Sequence, residues 1–200
     1  MWRRYAICIA VALVAGVAIG IAVHAATSRA KAPALDGQAT WRSGARPAPE
    51  FALRDQHGRV VSLESLRGRS VALTFMDSLC KQACPLEGRM LASAIAQLPD
   101  SAKPHLVVVS VDPAGDTPAT VAHAARKWHL PRGTTWLLGG KRSLARVWKQ
   151  YDITVDPRSG DIVHSTAVYL IDKHGDERAG FLMPFLPDLV AGDFRTLART

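Results

Sequence analysis

Cysteine is scarce in this sequence, with three residues among 200. Cys8 lies in an apolar N-terminal run, so only Cys80 and Cys84 remain for the rest of the chain. Such a composition excludes a disulfide-stapled miniprotein, and a chain of this length can bury a core without such bridges. It also leaves too few thiolates for a structural zinc site built from four cysteines.

The sequence also lacks a dense basic run interleaved with aromatic residues, although its formal net charge is +8. Residues 1–49 hold six Lys and Arg against one Asp, whereas the remainder holds 19 basic and 16 acidic residues. Because the positive excess lies mostly in the N-terminal arm, we expect no nucleic-acid partner. The arm is suited to weak attraction by anionic lipid headgroups, or it is simply a solvated basic linker.

An uncharged stretch covers residues 5–23, which is long enough to span a hydrocarbon core of ~30 Å. Arg3 and Arg4 precede it and favour a cytoplasmic N-terminus. We predict a single-pass anchor in the inner (cytoplasmic) membrane within residues 1–25, a linker over 26–49 rich in Ala, Pro, Gly and Ser, and a periplasmic domain over 50–200. A cleaved signal peptide is the alternative, although the apolar run exceeds the roughly 7–15 residues usual for one.

Strands alternate with helices from residue 50 onward. Predicted strands cover 70–76, 105–111, 135–138 and 166–172, predicted helices cover 85–98, 118–128, 143–151 and 187–199, and hairpins are predicted over 51–63 and 166–183. This order predicts an α/β domain with a central mixed sheet flanked by helices. We expect the sheet to be mainly parallel, with an antiparallel hairpin at each end of the domain.

Cys80 and Cys84 lie in the loop between a predicted buried strand and a helix expected to begin at Pro85. Such loops are where α/β folds place their chemistry. A structural disulfide is one interpretation, but four residues apart it closes a very short loop and stabilises little. A thiol near a helix N-terminus favours the thiolate. The pair can therefore cycle between dithiol and disulfide, or chelate a soft metal ion such as copper(I), which suits two thiolates and an imidazole.

His164 is the histidine that could lie near this pair, because it stands at the entry to the predicted strand over 166–172. In a sheet of the thioredoxin type, the start of that strand faces the loop that carries the cysteines. Surface or capping roles explain the other six, which are His24, His57, His105, His123, His129 and His174. Spacing alone does not assign His164 to a metal, since a lone histidine is usually structural.

Five separated stretches of the sequence form a recognisable set, which is FALRDQHGRVVSLESLRGRSVALTF, CKQACP, SVDPAGDTPATV, WLLGG and HSTAVYLIDKHG. Together they resemble the SCO/SenC family of copper-binding, thioredoxin-like proteins. The resemblance implies a thioredoxin-like fold and a copper site formed by Cys80, Cys84 and His164. It also implies a role in assembling the dinuclear copper centre of cytochrome c oxidase. The partner would be the copper-receiving oxidase subunit, or another copper or thiol protein, and the action copper delivery, reduction of the partner's cysteines, or both.

One departure from the family pattern follows the first cysteine, where many members carry Pro-Asp and this chain carries Lys81 and Gln82. A basic residue thus stands beside the thiol in place of an acidic one. We predict a metallochaperone rather than an enzyme. The alternative is an extracytoplasmic thiol–disulfide oxidoreductase, although such enzymes generally separate their cysteines by two residues and this pair by three. A thiol peroxidase has less support, because the expected peroxide-binding pattern around the nucleophile is missing.

Overall fold

The computed structural model describes residues 34–158 and 161–199. The strands are β1 (Ala39–Thr40), β2 (Ala52–Asp55), β3 (Val60–Ser62), β4 (Val71–Met76), β5 (His105–Ser110), β6 (Thr135–Leu138), β7 (Val155–Arg158), β8 (Asp161–His164), β9 (Ala167–Ile171) and β10 (Glu177–Leu182). The α-helices are α1 (Ala83–Ala96), α2 (Pro118–Lys127), α3 (Lys141–Gln150) and α4 (Pro187–Leu197). The predicted membrane anchor lies outside the described residues, and within them no helix has the length and apolar character needed to cross a bilayer.

Eight strands form one sheet in the order β1-β10-β9-β4-β5-β6-β2-β3, and β7 pairs with β8 in a separate ribbon. Only the pairs β4–β5 and β5–β6 are parallel, and the other five neighbouring pairs of the sheet are antiparallel. The mixed central sheet is confirmed, but the expectation of a mainly parallel sheet is wrong. The apolar run of β9 predicts a strand without its direction, and β9 runs antiparallel to β4.

Strand β4 lies at the centre of the core, and all six of its residues are buried. Ala72 and Met76 pack in the core cluster that includes α1, α2 and α4, whereas Leu73 and Phe75 pack in the cluster that includes α3. A strand covered on both faces reads as a continuous apolar run, which is why residues 71–76 were predictable. The carboxyl end of β4 leads directly into the loop that carries Cys80.

Helix α1 begins at Ala83, two residues before the predicted start at Pro85. Proline lacks an N–H group, but the first turn of a helix leaves its N–H groups unpaired, so proline is tolerated there beyond the first position. Cys84 is therefore the second residue of the helix. The predicted start of α2 is confirmed, since Thr117 caps it and forms a reciprocal capping box with Thr120.

The segment from Leu35 to Glu50 packs along the outer edge of the sheet, which its composition did not indicate. Strand β1 pairs with β10, and Arg46 forms an ion pair with the buried carboxylate of Glu177. On α4, the carboxylate of Asp193 accepts hydrogen bonds from the backbone N–H groups of Asp36 at 2.8 Å and Gly37 at 3.3 Å. Burial raises the pKa of Asp193 to about 6.

Gly37→Ala is expected to lower the free energy of unfolding by about 1–3 kcal/mol, because there is no room for a side chain at this position. A Cβ atom there would lie 2.9 Å from the Cβ of Ala179 and 3.0 Å from the carbonyl oxygens of Ala39 and Gly180. Urea denaturation measures the change. Gly192→Ala is the matched control, since a Cβ on α4 finds only ordinary contact at 3.8 Å. That variant should gain roughly 0.5–1 kcal/mol from helix propensity, and equal losses in both variants would contradict the prediction.

Candidate functional site

The two thiols lie where β4 passes into α1. Cys80 is half-buried in the loop, and its backbone N–H donates to the carbonyl of Asp77 at 3.2 Å. Cys84 is fully buried in the first helical turn, and its backbone N–H donates to the Cys80 Sγ at 3.5 Å. Both cysteines are free thiols. One sulfur is thus accessible from solvent and the other lies beneath it.

His164 approaches the buried thiol from a different element. It is the last residue of β8, opposite Val155 of β7. The histidine was expected to lead directly into a strand over 166–172, but that strand begins at Ala167 and the β7–β8 hairpin was not predicted. The ring Nε2 lies 3.6 Å from the Cys84 Sγ, and Nδ1 lies 2.9 Å from the carbonyl oxygen of Ser165. A carbonyl can only accept, so Nδ1 donates to Ser165, and Nε2 is the ring nitrogen that faces Cys84.

A cavity of about 410 Å³ opens above these groups, bordered by loop residues 79–83 on one side and by residues 162–164 with Thr166 on the other. No other described histidine lines it. Cys84 is the shared member of two contacts, one with Cys80 and one with His164. Across residues 34–158 and 161–199, no three His, Cys, Asp or Glu side chains stand close enough to hold a metal ion without rearrangement.

The two thiols differ sharply in acidity. The hydrogen bond from the Cys84 thiol lowers the pKa of Cys80 to about 5, and backbone N–H groups of Gln82, Ala83 and Cys84 add to this. The same hydrogen bond, together with burial, raises the pKa of Cys84 well above its usual range. At neutral pH Cys80 is therefore the thiolate and the nucleophile, whereas Cys84 holds a proton.

Two buried carboxylates shape the loop that carries Cys80. Asp77 accepts a hydrogen bond from the backbone N–H of Leu79 at 2.7 Å, and Asp116 accepts one from the backbone N–H of Ser78 at 2.9 Å. Burial, with the nearby charges of Asp116, Asp112 and Cys80, raises the pKa of Asp77 to about 6. The carboxylates of Asp77 and Asp116 thus fix the conformation of the loop that carries Cys80.

Glu87 is a buried acid that sequence reasoning missed. Its side chain is fully buried on α1, and Oε2 has no hydrogen-bond partner among the described residues. Oε1 contacts the hydroxyl of Thr74, which also lies 3.1 Å from the carbonyl oxygen of Ala167. One hydroxyl hydrogen cannot serve both oxygens, which favours a proton on Glu87. Burial raises the pKa of Glu87 to about 8.

The position of Glu87 in the sequence offered a signal that could have revealed it. It follows Cys84 by three residues, which places both side chains on one face of α1. An acid on the buried face of a helix that begins with a thiol is a candidate for a functional or tuning role.

Comparison with known proteins places this arrangement in a family. The SCO1/SenC family model matches residues 40–198. The chain therefore belongs to the SCO1/SenC family.

Individual relatives agree with this assignment. The mitochondrial Sco2 protein of Saccharomyces cerevisiae is 33% identical over 134 residues, which are 62% of this chain and 44% of the yeast protein. The chain thus matches less than half the length of that relative. The structure of Bradyrhizobium japonicum ScoI with copper bound is 25% identical, with a TM-score of 0.64 over 76% of this chain and 99% of that one. A SCO1/SenC family lipoprotein from Bacillus anthracis shares the fold, at 22% identity and a TM-score of 0.70 over 80% of this chain and 99% of that one.

Proposed function

We propose that this protein is a membrane-tethered, extracytoplasmic copper chaperone that assists assembly of the copper centre of cytochrome c oxidase. One observation carries the proposal. The Cys84 Sγ lies 3.6 Å from Nε2 of His164, and the Cys80 Sγ accepts a hydrogen bond from the backbone N–H of Cys84 at 3.5 Å. Thiolate and imidazole are the donors that copper(I) prefers. Bradyrhizobium japonicum ScoI, a relative of the same fold, has been solved with copper bound.

In such a protein copper is the ion that is carried and handed on. The three side chains that would bind it are not equally well placed in the structure. Cys84 and His164 are already in contact, whereas Cys80 lies on a loop and is half-exposed. Turning the Cys80 side chain toward the other two donors would complete the set without moving the buried core. Copper has to displace the proton that Cys84 holds, so its affinity should rise with pH.

Release would follow from the same chemistry. Thiolates of a copper-receiving subunit would displace Cys80, Cys84 and His164 in steps, by ligand exchange. Oxidation of Cys80 and Cys84 to a disulfide, with the two electrons passing to a disulfide of a partner protein that becomes a dithiol, would remove two of the three donors at once. The free, closely placed thiols support both routes.

The membrane attachment in this proposal rests on sequence alone. Residues 5–23 carry no charge and follow Arg3 and Arg4. Full-length protein should sediment with inner membranes and resist extraction by carbonate, whereas a chain that starts at residue 34 should be released. Recovery of the full-length protein in the released fraction would contradict the anchor.

A thiol–disulfide oxidoreductase is the second candidate, and the acidity of the thiols favours it. An accessible thiolate of pKa about 5 above a buried thiol is the arrangement of a nucleophile with its resolving partner. In this alternative His164 would not be needed to hold an ion.

The deciding experiment is an anaerobic copper(I) titration of the reduced, detergent-solubilised chain. We expect one equivalent to bind, with affinity lowered by at least about a hundredfold in Cys80→Ser, Cys84→Ser and His164→Ala, since each variant removes one donor. His123→Ala is the matched control, because His123 is exposed on α2 and away from the cavity. If His164→Ala binds copper as tightly as the parent while the chain reduces disulfides efficiently, the oxidoreductase replaces the chaperone.

A further inference from the structure

Two adjoining cavities open at the end of the sheet opposite the thiols. The thiol loop follows the carboxyl end of β4, whereas Ser70 precedes β4 and Lys103 precedes the parallel strand β5. Lys173 follows β9, which runs antiparallel to β4, so it lies at the same end as Ser70. At about 3.3 Å per residue, the length of β4 separates this end from the thiol loop by roughly 20 Å.

The cavities are lined mainly by positive charge. Their volumes are about 260 and 340 Å³, and Arg69, Asp100 and Lys103 line both. Lys173 lines the smaller cavity and Arg132 the larger one. Four cations thus face one acid, and a concave surface with charge of one sign concentrates ions of the opposite sign.

Most of this positive charge is not neutralised by the protein. Lys103 pairs with Asp100 at 2.8 Å. The side chains of Arg69, Arg132 and Lys173 form no ion pair with any residue in the ranges 34–158 and 161–199. All four cationic residues are exposed, so an anion can reach them from solvent.

The ring of His105 holds Arg69 in place. Its Nδ1 lies 3.4 Å from a terminal guanidinium nitrogen of Arg69, and its Nε2 lies 2.8 Å from the hydroxyl oxygen of Thr135. A guanidinium can only donate, so Nδ1 accepts from Arg69 and Nε2 donates to Thr135. Because a guanidinium has five N–H donors, the contact with His105 leaves others for a ligand.

We propose that this basic end, formed by Arg69, Lys103, Arg132 and Lys173, binds the phosphate groups of anionic phospholipids, so that a bilayer surface covers it. The inference rests on the membrane tether in the proposed function, which keeps headgroups at a high local concentration. A negatively charged bilayer attracts each Lys or Arg that lies close to its surface.

The arrangement of the four cations favours a bilayer over a single soluble anion. They stand on four different loops, which precede β4, β5 and β6 and follow β9. A surface that presents many phosphate groups can engage all four loops at once, whereas one small anion fills one cavity. A bilayer at the basic end leaves the thiol cavity at the other end open to a partner.

The experiment measures lysine acetylation by uncharged N-acetoxysuccinimide on the full chain in nanodiscs, with mass spectrometry to follow each lysine. The discs contain phosphatidylcholine alone or an equal mixture with phosphatidylglycerol. Lys103 and Lys173 should react about fivefold more slowly in the phosphatidylglycerol discs. Lys81 at the thiol cavity and Lys149 on α3 are internal controls, and each should react at the same rate in both lipids.

A charge reversal tests the basic end directly. Arg69→Glu should reduce the slowing at Lys103 and Lys173 to less than about twofold. Arg126→Glu is the matched control, because Arg126 is exposed on α2 and lines neither cavity, and it should keep the full slowing. Each variant is compared with itself in the two lipids, which cancels any change in the intrinsic reactivity of its lysines.

The proposal is overturned if Lys103 and Lys173 react alike in both lipids, if Lys81 is slowed as much as they are, or if Arg69→Glu keeps the parental slowing. It is also overturned if inorganic phosphate, added to phosphatidylcholine discs, slows both lysines as much as phosphatidylglycerol does, since the site would then be one for a soluble anion. A chain that enters neither kind of disc overturns the tether and the headgroup site together. The copper titration reports separately on copper binding, so the two proposals can fail independently.

Discussion

Glu87→Gln is expected to remove a large pH-dependent loss of stability. The pKa of Glu87 is raised from 4.5 to about 8 in the folded chain, because its carboxyl is buried. Below pH 4.5 the carboxyl is protonated in both the folded and the unfolded state, so its burial does not lower the free energy of unfolding there. As the pH rises to about 8, the unfolded chain releases this proton and the folded chain does not, which lowers the free energy of unfolding by about 5 kcal/mol.

Glutamine keeps the shape of Glu87 and can donate to the Thr74 hydroxyl as the protonated acid does. The variant should match the parent within about 1 kcal/mol near pH 4.5 and exceed it by several kcal/mol at pH 8. Urea denaturation across this range gives the difference between the two chains. Glu64→Gln is the control, since Glu64 is exposed and should leave the pH profile unchanged. Parallel profiles for the parent and Glu87→Gln would show that Glu87 is ionised in the folded chain.

Cys80 is expected to be alkylated by iodoacetamide with a midpoint near pH 5, the pKa that the Cys84 hydrogen bond gives it. Cys84→Ala removes that hydrogen bond and should move the midpoint upward, toward 9. If the midpoint rose fully to 9, the thiolate fraction at pH 6 would fall about a thousandfold, and the backbone N–H groups that remain make the fall smaller. The more basic thiolate is intrinsically more nucleophilic, by about 40- to 100-fold for the full shift, so the net rate should fall by at most about 10- to 25-fold.

The alkylation experiment uses a Cys8→Ser background, so that Cys80 and Cys84 are the only thiols. Mass spectrometry identifies the modified residue, and Cys84 should stay unmodified in the folded parent because it is buried. His164→Ala serves as the control, since it removes a contact of Cys84 and leaves the hydrogen bond to Cys80 in place. An unchanged midpoint in Cys84→Ala would mean that backbone N–H groups alone acidify Cys80.

Local pattern was sufficient for the strand that leads into the thiol loop and for the helix α2. The apolar run of β4 and the Thr117-Pro118 start of α2 are short-range signals, and both elements form where they were predicted. Features that depend on distant pairing were not accessible. The direction of β9 and the packing of residues 35–49 against β10 are set by contacts far apart in the sequence.

The site was partly predictable for the same reason. Cys80, Cys84 and His164 were the predicted site residues. In the structure the two cysteines are in contact, and His164 lies against Cys84. The β7–β8 hairpin that positions His164 was missed, because Pro157 and the polar residues around it do not alternate like a strand. Glu87 was missed because an acidic residue on a helix is ordinarily solvated, and its burial appears only once α1 packs on the sheet.

The hydroxyl of Thr74 lies between the two segments that meet at Cys84 and His164. It contacts Glu87, three residues beyond Cys84, and the carbonyl of Ala167, three residues beyond His164. The Thr74 hydroxyl therefore links α1, which carries Cys84, to the segment that carries His164. This link fixes the distance between the two segments without using either the Cys84 sulfur or the His164 ring. In the proposed copper chaperone, the two donors would stay at a distance set by the core when an ion leaves, so the site would accept another ion without refolding.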